Sequence, residues 1–328
     1  MDPVVDGEGS LSVSLHFDPQ KIPTVQPGKT ASRHSHHQRR IAPHRTSSHT
    51  TPQHNTVHPL ERTMLTNKLA LITGGGGSIG KAIAGAFLAR NISVVLAGRR
   101  LSKLEEARAD LLEKQAEKGG PQGTAATVHA ISCDVSSEDS VVRLFRQIDE
   151  LGSGGGPGVD ILVNNAGINA TAGSVEELTA GDMEAVLGVN VVGAFLCARE
   201  AIKRMKQKKG SGTGTGNGRI VNIGSISSFS PRPNSTAYTT SKFAIAGLSK
   251  SLALDVRDHG IAVGTIHPGN VVSELLSPED VEVRGRTEGF LRPEDVAGCV
   301  LTMVELPPSA NVLEMTVMPT TQPLVGRG

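Results

Sequence analysis

The 328-residue chain sets 33 Lys and Arg against 32 Asp and Glu, a net charge of +1, so no global field draws it to nucleic acid or an anionic membrane. Aromatic residues make up 2% of the chain, with one Tyr and no Trp, which leaves Val, Ile, Leu and Ala to build a core of helices packed on a parallel sheet. Cys133, Cys197 and Cys299 match no metal or disulfide spacing and read as reduced, buried thiols of an intracellular protein, and no apolar run approaches the roughly 20 residues of a membrane span.

Residues 1–63 are rich in His, Ser, Thr, Pro and Gln and show neither helical nor strand periodicity, so they are expected to form a disordered tail ahead of one domain over 64–328. A targeting peptide is a second reading, because residues 19–60 are basic and free of acids; Asp2, Asp6 and Glu8 and the lack of an apolar signal core stand against it. A metal-binding tract at His34, His36 and His37 is a third, and it lacks Cys or carboxylate partners, so no metal is expected. The expected location is the cytoplasm. Met64, just before the first strand, offers an alternative start of translation to Met1.

From Lys68, short apolar runs alternate with helical stretches. The runs are Leu69–Thr73, Ile92–Ala97, Ala126–Ser132, Ile161–Asn164, Ile220–Ile223 and Ile261–Ile266, Val/Ile-rich and continuous rather than alternating, as strands buried on both faces are. Helices are predicted around Lys81–Arg90, Leu101–Lys118, Ser140–Leu151, Ala180–Lys208 and Ala237–His259, and a last strand within Leu313–Pro319. This order implies an α/β fold with a doubly wound parallel sheet, a Rossmann fold. Gly152–Gly158 and Gly210–Gly218 read as flexible surface insertions, since each precedes a strand.

The first strand runs into Thr73-Gly74-Gly75-Gly76-Gly77-Ser78-Ile79-Gly80, which opens a helix and contains Gly-x-Gly-x-x-Gly at Gly75, Gly77 and Gly80. Such a turn lets backbone N–H groups and a helix N-terminus meet a pyrophosphate. At the end of the second strand, Gly98 offers no acid for an adenosine ribose 2′-OH, whereas Arg99 and Arg100 can pair a 2′-phosphate, which points to NADP(H) over NAD(H). Tyr238 and Lys242 stand at i and i+4, on one face of a helix. A phenol has a pKa of about 10, and bringing it down by about 2–3 units for proton transfer requires about 3–4 kcal/mol, which a fixed cation can supply.

With these motifs in order, the chain resembles the short-chain dehydrogenase/reductase superfamily, of the compact single-domain kind. Thr73–Gly80 resembles its Thr-Gly-x-x-x-Gly-x-Gly turn, with Ser78 in place of the middle Gly. Cys133-Asp134-Val135 is similar to the segment whose Asp holds the adenine, and Asn164-Asn165-Ala166-Gly167 to the element after the fourth strand. Asn190 falls where the family keeps a helix-kinking Asn, and Ser225 lies 13 positions before Tyr238, the family offset. His267-Pro268-Gly269-Asn270-Val271-Val272-Ser273 resembles the segment that brackets the nicotinamide, with Ser273 for the more usual Thr.

The resemblance implies that Tyr238 is the general acid/base, that Ser225 polarises the substrate oxygen, that Lys242 lowers the Tyr238 pKa and binds the nicotinamide ribose, and that Asn190 holds a water. It implies cofactor contacts at Gly74, Ser78, Ile79, Gly80, Arg99, Arg100, Asp134, Val135, Asn165, Ala166, Gly167, Tyr238, Lys242, Pro268, Gly269, Val271 and Ser273, a small carbonyl or alcohol substrate, a mobile lid over Asn270–Leu291 and a homodimer or homotetramer. The end of the chain, Gln322-Pro323-Leu324-Val325-Gly326-Arg327-Gly328, resembles a branch of such oxidoreductases. Three rival readings stand beside this one: an NAD-dependent alcohol or polyol dehydrogenase, a nucleotide-sensing protein without turnover, and a nucleic-acid-binding tail. The second would be expected to lack members of the Asn190, Ser225, Tyr238 and Lys242 set, and the third lacks aromatics to stack bases.

Overall fold

The computed structural model describes residues 65, 68–117, 126–151, 158–169, 174–208, 218–274, 276 and 278–324. The tail expected over 1–63, its histidines and most of the two Gly-rich insertions lie outside the described residues.

Seven parallel strands form one sheet: β1 (Leu69–Thr73), β2 (Ser93–Gly98), β3 (Val128–Ser132), β4 (Ile161–Asn164), β5 (Gly218–Ile223), β6 (Ile261–Pro268) and β7 (Glu314–Val317), in the spatial order β3-β2-β1-β4-β5-β6-β7. The inner strands are buried nearly end to end, as their continuous Val/Ile runs demand: Leu71, Ile72, Val95, Leu162 and Val263 are wholly buried. Gly218, expected in a flexible insertion, begins β5 instead, packed so closely on Met205 that a Cβ there would force the Met205 side chain to shift.

Helices cover both faces. On one, α1 (Ser78–Leu88), α2 (Leu101–Glu117) and α8 (Pro293–Glu305) bury Ile83, Phe87, Leu104, Val300 and Met303. On the other, α3 (Glu138–Leu151), α5 (Ala194–Gln207) and α6 (Thr236–Val256) bury Phe145, Cys197, Ala201, Met205 and Val256. The helix expected over 180–208 is broken: α4 (Ala180–Leu187) leads into a π-helical segment, Gly188–Gly193, before α5. The whole stretch Ala180–Gln207 is long and apolar enough to cross a membrane, contrary to the sequence expectation of no such run. Half of its most apolar window is buried, and Cys197, Ala198, Ala201 and Met205 lie in the core, so packing accounts for its composition. Cys299 is only half-buried, unlike Cys133 and Cys197. Within the expected lid, α7 (Pro278–Thr287) is helical.

The order of strands reverses between β1 and β4, so their carboxyl ends part there and open a crevice.

Candidate active site

Two adjoining clefts, of about 360 and 340 Å³, lie at the carboxyl ends of the strands and share Ile79, Asn165, Gly167 and Ser273. The second is walled by the glycine turn. Gly74 has φ of +65°, a conformation that disfavours any other residue, and a Cβ on it would come within 2.9 Å of the Asn165 amide. Asn165 clamps this turn by donating from Nδ2 to the carbonyls of Thr73 (3.0 Å) and Gly74 (3.1 Å), while the Thr73 hydroxyl accepts from the backbone N–H of Asn165 and Ala166. Gly80 packs directly on Gly74 and lines neither cleft: it lets helix and turn meet rather than facing a ligand. Ser78 begins α1 with no positive φ, so its Cβ is tolerated where the resembled turn carries Gly.

An anion already occupies the end of α1. The Glu274 carboxylate accepts from the Ser78 backbone N–H (3.1 and 3.2 Å) and from its hydroxyl (2.7 Å). Burial opposes its ionisation, yet these bonds and nearby Lys103 hold its pKa below the usual glutamate range. A helix N-terminus whose Ser78 N–H and hydroxyl hold a carboxylate has the chemistry to hold a phosphate, so these residues fit a dinucleotide. Beyond the cradle, Gly98, Arg99, Arg100 and Lys103 line the cleft at the end of β2. Asp134, its pKa lowered chiefly by the Ser136 hydroxyl, and Val135 line it at the end of β3.

The first cleft gathers Ser225, Tyr238 and Lys242, with Pro268, Gly269, Val271 and Ser273 along its far wall. Ser225 caps a 3₁₀ turn, Ile226–Ser228, and its Oγ accepts the Ser227 N–H at 3.1 Å. The hydroxyl proton is thereby left to donate to a substrate oxygen. Tyr238 stands in the first turn of α6. Lys242, one turn on and buried, places Nζ 5.4 Å from the Tyr238 ring centroid and donates to the Ile223 carbonyl at 2.8 Å. Burial pulls its pKa down to about 8.

Asn190 is buried behind this cleft rather than lining it. Its Oδ1 accepts from the Ile168 N–H (2.8 Å), and Nδ2 donates to the Ile168 carbonyl (2.9 Å) and the Ser241 hydroxyl (3.0 Å). Both amide hydrogens are spent on the protein, so the side chain ties the π segment to the loop after β4 and to the helix carrying Lys242.

Several polar groups at the site escaped the sequence reading. Arg232 Nη2 donates to Asn270 Oδ1 (2.9 Å) and Glu288 Oε2 (2.5 Å), and Gln322 bridges the Asn270 N–H and the Glu288 carboxylate, each at 2.9 Å. This buried network joins the loop before α6, the loop after β6, the end of α7 and the chain's last stretch. No run of residues could have disclosed it, because its members are far apart in sequence. Among the described residues no cluster of His, Cys, Asp and Glu could hold a metal ion.

The family described as short chain dehydrogenase matches residues 68–282. The chain is 31% identical over 256 residues to farnesol dehydrogenase of Aedes aegypti, covering 77% of this chain and 96% of that one. It is 31% identical over 266 residues to dehydrogenase/reductase SDR family member 11 of Bos taurus, covering 78% and 97%. Among solved structures, a 3-ketoacyl-(acyl-carrier-protein) reductase from Brucella melitensis complexed with NADH superposes with a TM-score of 0.64 at 26% identity, covering 78% of this chain and 99% of that one. With the parallel sheet, the glycine turn and the Ser225–Tyr238–Lys242 cleft, these matches establish that the chain belongs to the short-chain dehydrogenases/reductases, NAD(P)-dependent oxidoreductases of alcohols and carbonyls.

Proposed function

We propose that the protein interconverts a carbonyl and a secondary alcohol with NADP(H), using Tyr238 as general acid/base. The observation that carries this reading is the convergence of Ser225, Tyr238 and Lys242 on one cleft, continuous with a cradle built for an anion. The bound nicotinamide supplies or accepts the hydride. In reduction, the Ser225 hydroxyl donates to the carbonyl oxygen and stabilises the charge that grows there, while Tyr238 delivers the proton. In oxidation, Tyr238 takes the alcohol proton. Lys242 favours the ionised phenol by its charge and would hold the ribose of a bound nucleotide. Asn190 acts as a positioning residue, fixing Ser241 and so the start of α6.

NADP(H) is favoured over NAD(H) by the end of β2. Gly98 has no side chain to accept from a ribose 2′-OH, and Arg99 and Arg100 are exposed on the cleft wall where a 2′-phosphate would pair with them. Titration of the purified protein with NADPH and NADH tests this. Tighter NADPH binding that Arg99→Ala abolishes is expected; tighter NADH binding would overturn the assignment. The substrate is read as a small molecule entering beside Ile226, Leu276 and Arg284, and the molecule as a homo-oligomer.

A further inference from the structure

His267, at the end of β6, is almost completely buried and has no part in the proton transfer above. Its Nδ1 lies 3.1 Å from the Ser225 carbonyl oxygen and 3.1 Å from the Ser228 hydroxyl. The carbonyl can only accept. The Ser228 hydroxyl donates its hydrogen to the Lys242 carbonyl at 2.9 Å, so towards the imidazole it too must accept. Two acceptors on one nitrogen require that the hydrogen sit on Nδ1. Nε2 then carries the lone pair, and it has no hydrogen-bond partner; Glu314 Oε1 on β7 stands 3.6 Å away and is paired with Lys250. Burial lowers the His267 pKa and favours the neutral ring; of the charged groups that face it, Glu314 opposes that shift and Lys242 adds to it. The ring packs closely on Gly224, where a Cβ would come within 2.6 Å of Nδ1, and meets Phe229 edge-on at 5.3 Å.

We propose that His267 is a positioning residue of the reaction: as the Nδ1–H tautomer it grips the Ser225 carbonyl and, through Ser228, the backbone of Lys242, and so sets the Ser225 hydroxyl against the helix bearing Tyr238 and Lys242. One imidazole N–H thus links the two elements that must meet around a substrate oxygen, the end of β5 and the start of α6. The proposal rests on the reading of Ser225 and Tyr238 as the groups that polarise and protonate that oxygen. A displacement of Ser225 weakens transition-state contacts more than substrate binding, so the effect falls on kcat.

The discriminating variants exploit side-chain reach. Asn places its amide N–H where Nδ1 stands; Gln places its amide near Nε2; Leu offers no donor. With the most rapidly reduced ketone of a panel of aliphatic, aromatic and steroid ketones, His267→Asn is expected to hold kcat within about threefold of wild type. His267→Gln and His267→Leu are expected to lose about 10–100-fold in kcat, as removal of a buried hydrogen bond predicts, with KM and NADPH affinity changed by less than about threefold. In ¹⁵N NMR of the wild type, the His267 signals, identified by their disappearance in His267→Asn, should show a protonated Nδ1 and an unprotonated Nε2. Full kcat in the Leu and Gln variants, equal losses in the Asn and Gln variants, or an Nε2–H tautomer would each overturn the proposal. The NMR arm and the Asn/Gln comparison stand even if the Leu variant fails to fold. Tyr238→Phe, measured alongside, separates the two readings: full activity there removes the proton-transfer reading itself, whereas loss there with retention in His267→Leu removes only the role of His267.

Discussion

Lys242 keeps only 7% of its surface exposed, and its ammonium has exchanged water for the Ile223 carbonyl and the neighbourhood of the Tyr238 ring. Its pKa of about 8, against 10.5 for a free lysine, expresses that loss as a stability cost of about 3 kcal/mol while the group is charged. Below pH 8 the folded and unfolded states both hold the proton and the cost is constant. Between 8 and 10.5 the unfolded chain binds more protons than the native one, so stability rises with pH across that window. Urea unfolding of wild type and Lys242→Met at about pH 7.5 and about pH 10 is expected to show the wild type gaining about 2–3 kcal/mol relative to the variant. Parallel pH dependences would contradict the buried, charged lysine. The site thus accepts a stability penalty to keep a cation beside a phenol, a trade that functional sites recurrently make.

At the scale of elements, α1 and the loop after β6 compete for one set of donors. Glu274 takes the Ser78 N–H and hydroxyl, so if a dinucleotide phosphate uses these donors, as proposed, it must displace the carboxylate first. Glu274→Ala is therefore expected to tighten NADPH binding by about fivefold, a modest effect because the carboxylate is exposed and screened. A fluorescence titration reads it, and weaker binding in the variant would show Glu274 to be an aid rather than a competitor. That contact was invisible in the sequence because Ser78 and Glu274 are 196 positions apart. What the sequence did disclose depends on local rules: six strands announced themselves as short apolar runs, five of them buried on both faces and β3 half-exposed at the edge of the sheet, and the glycine turn by its place between strand and helix. Periodicity alone did not disclose the π segment, because a bulge in a helix leaves the apolar pattern nearly unchanged; only the resemblance, through the helix-kinking Asn190, pointed to it. α8, absent from the expected elements, begins at Pro293 with Glu294 and Asp295 in its first turn, signals of a helix start that the charged lid before it obscured. Of the site, Ser225, Tyr238 and Lys242 could be placed together from their spacing and resemblance, whereas His267, Arg232 and Gln322 act through partners that only the folded chain brings near.

At the scale of the whole molecule, α5, α6 and the π segment leave apolar side chains in solvent: Val192 (46% exposed), Phe195 (41%), Phe243 (48%) and Leu254 (65%). Apolar surface of this kind on a domain with a full core points to burial against another copy. Light scattering of the purified protein is expected to give the mass of a dimer or tetramer, and a monomer at micromolar concentration would contradict that expectation. The glycine turn, the arginines at the end of β2 and the Ser225–Tyr238–Lys242 cleft meet at the carboxyl ends of the strands, where the strand order reverses, and the proposed reaction turns on a single phenol.

The most direct measurement is the rate of NADPH-dependent ketone reduction by wild type and Tyr238→Phe, with NADPH affinity determined for both. The account predicts a loss of about 10²–10⁴-fold in kcat with cofactor affinity preserved. Equal rates in the two proteins would contradict it.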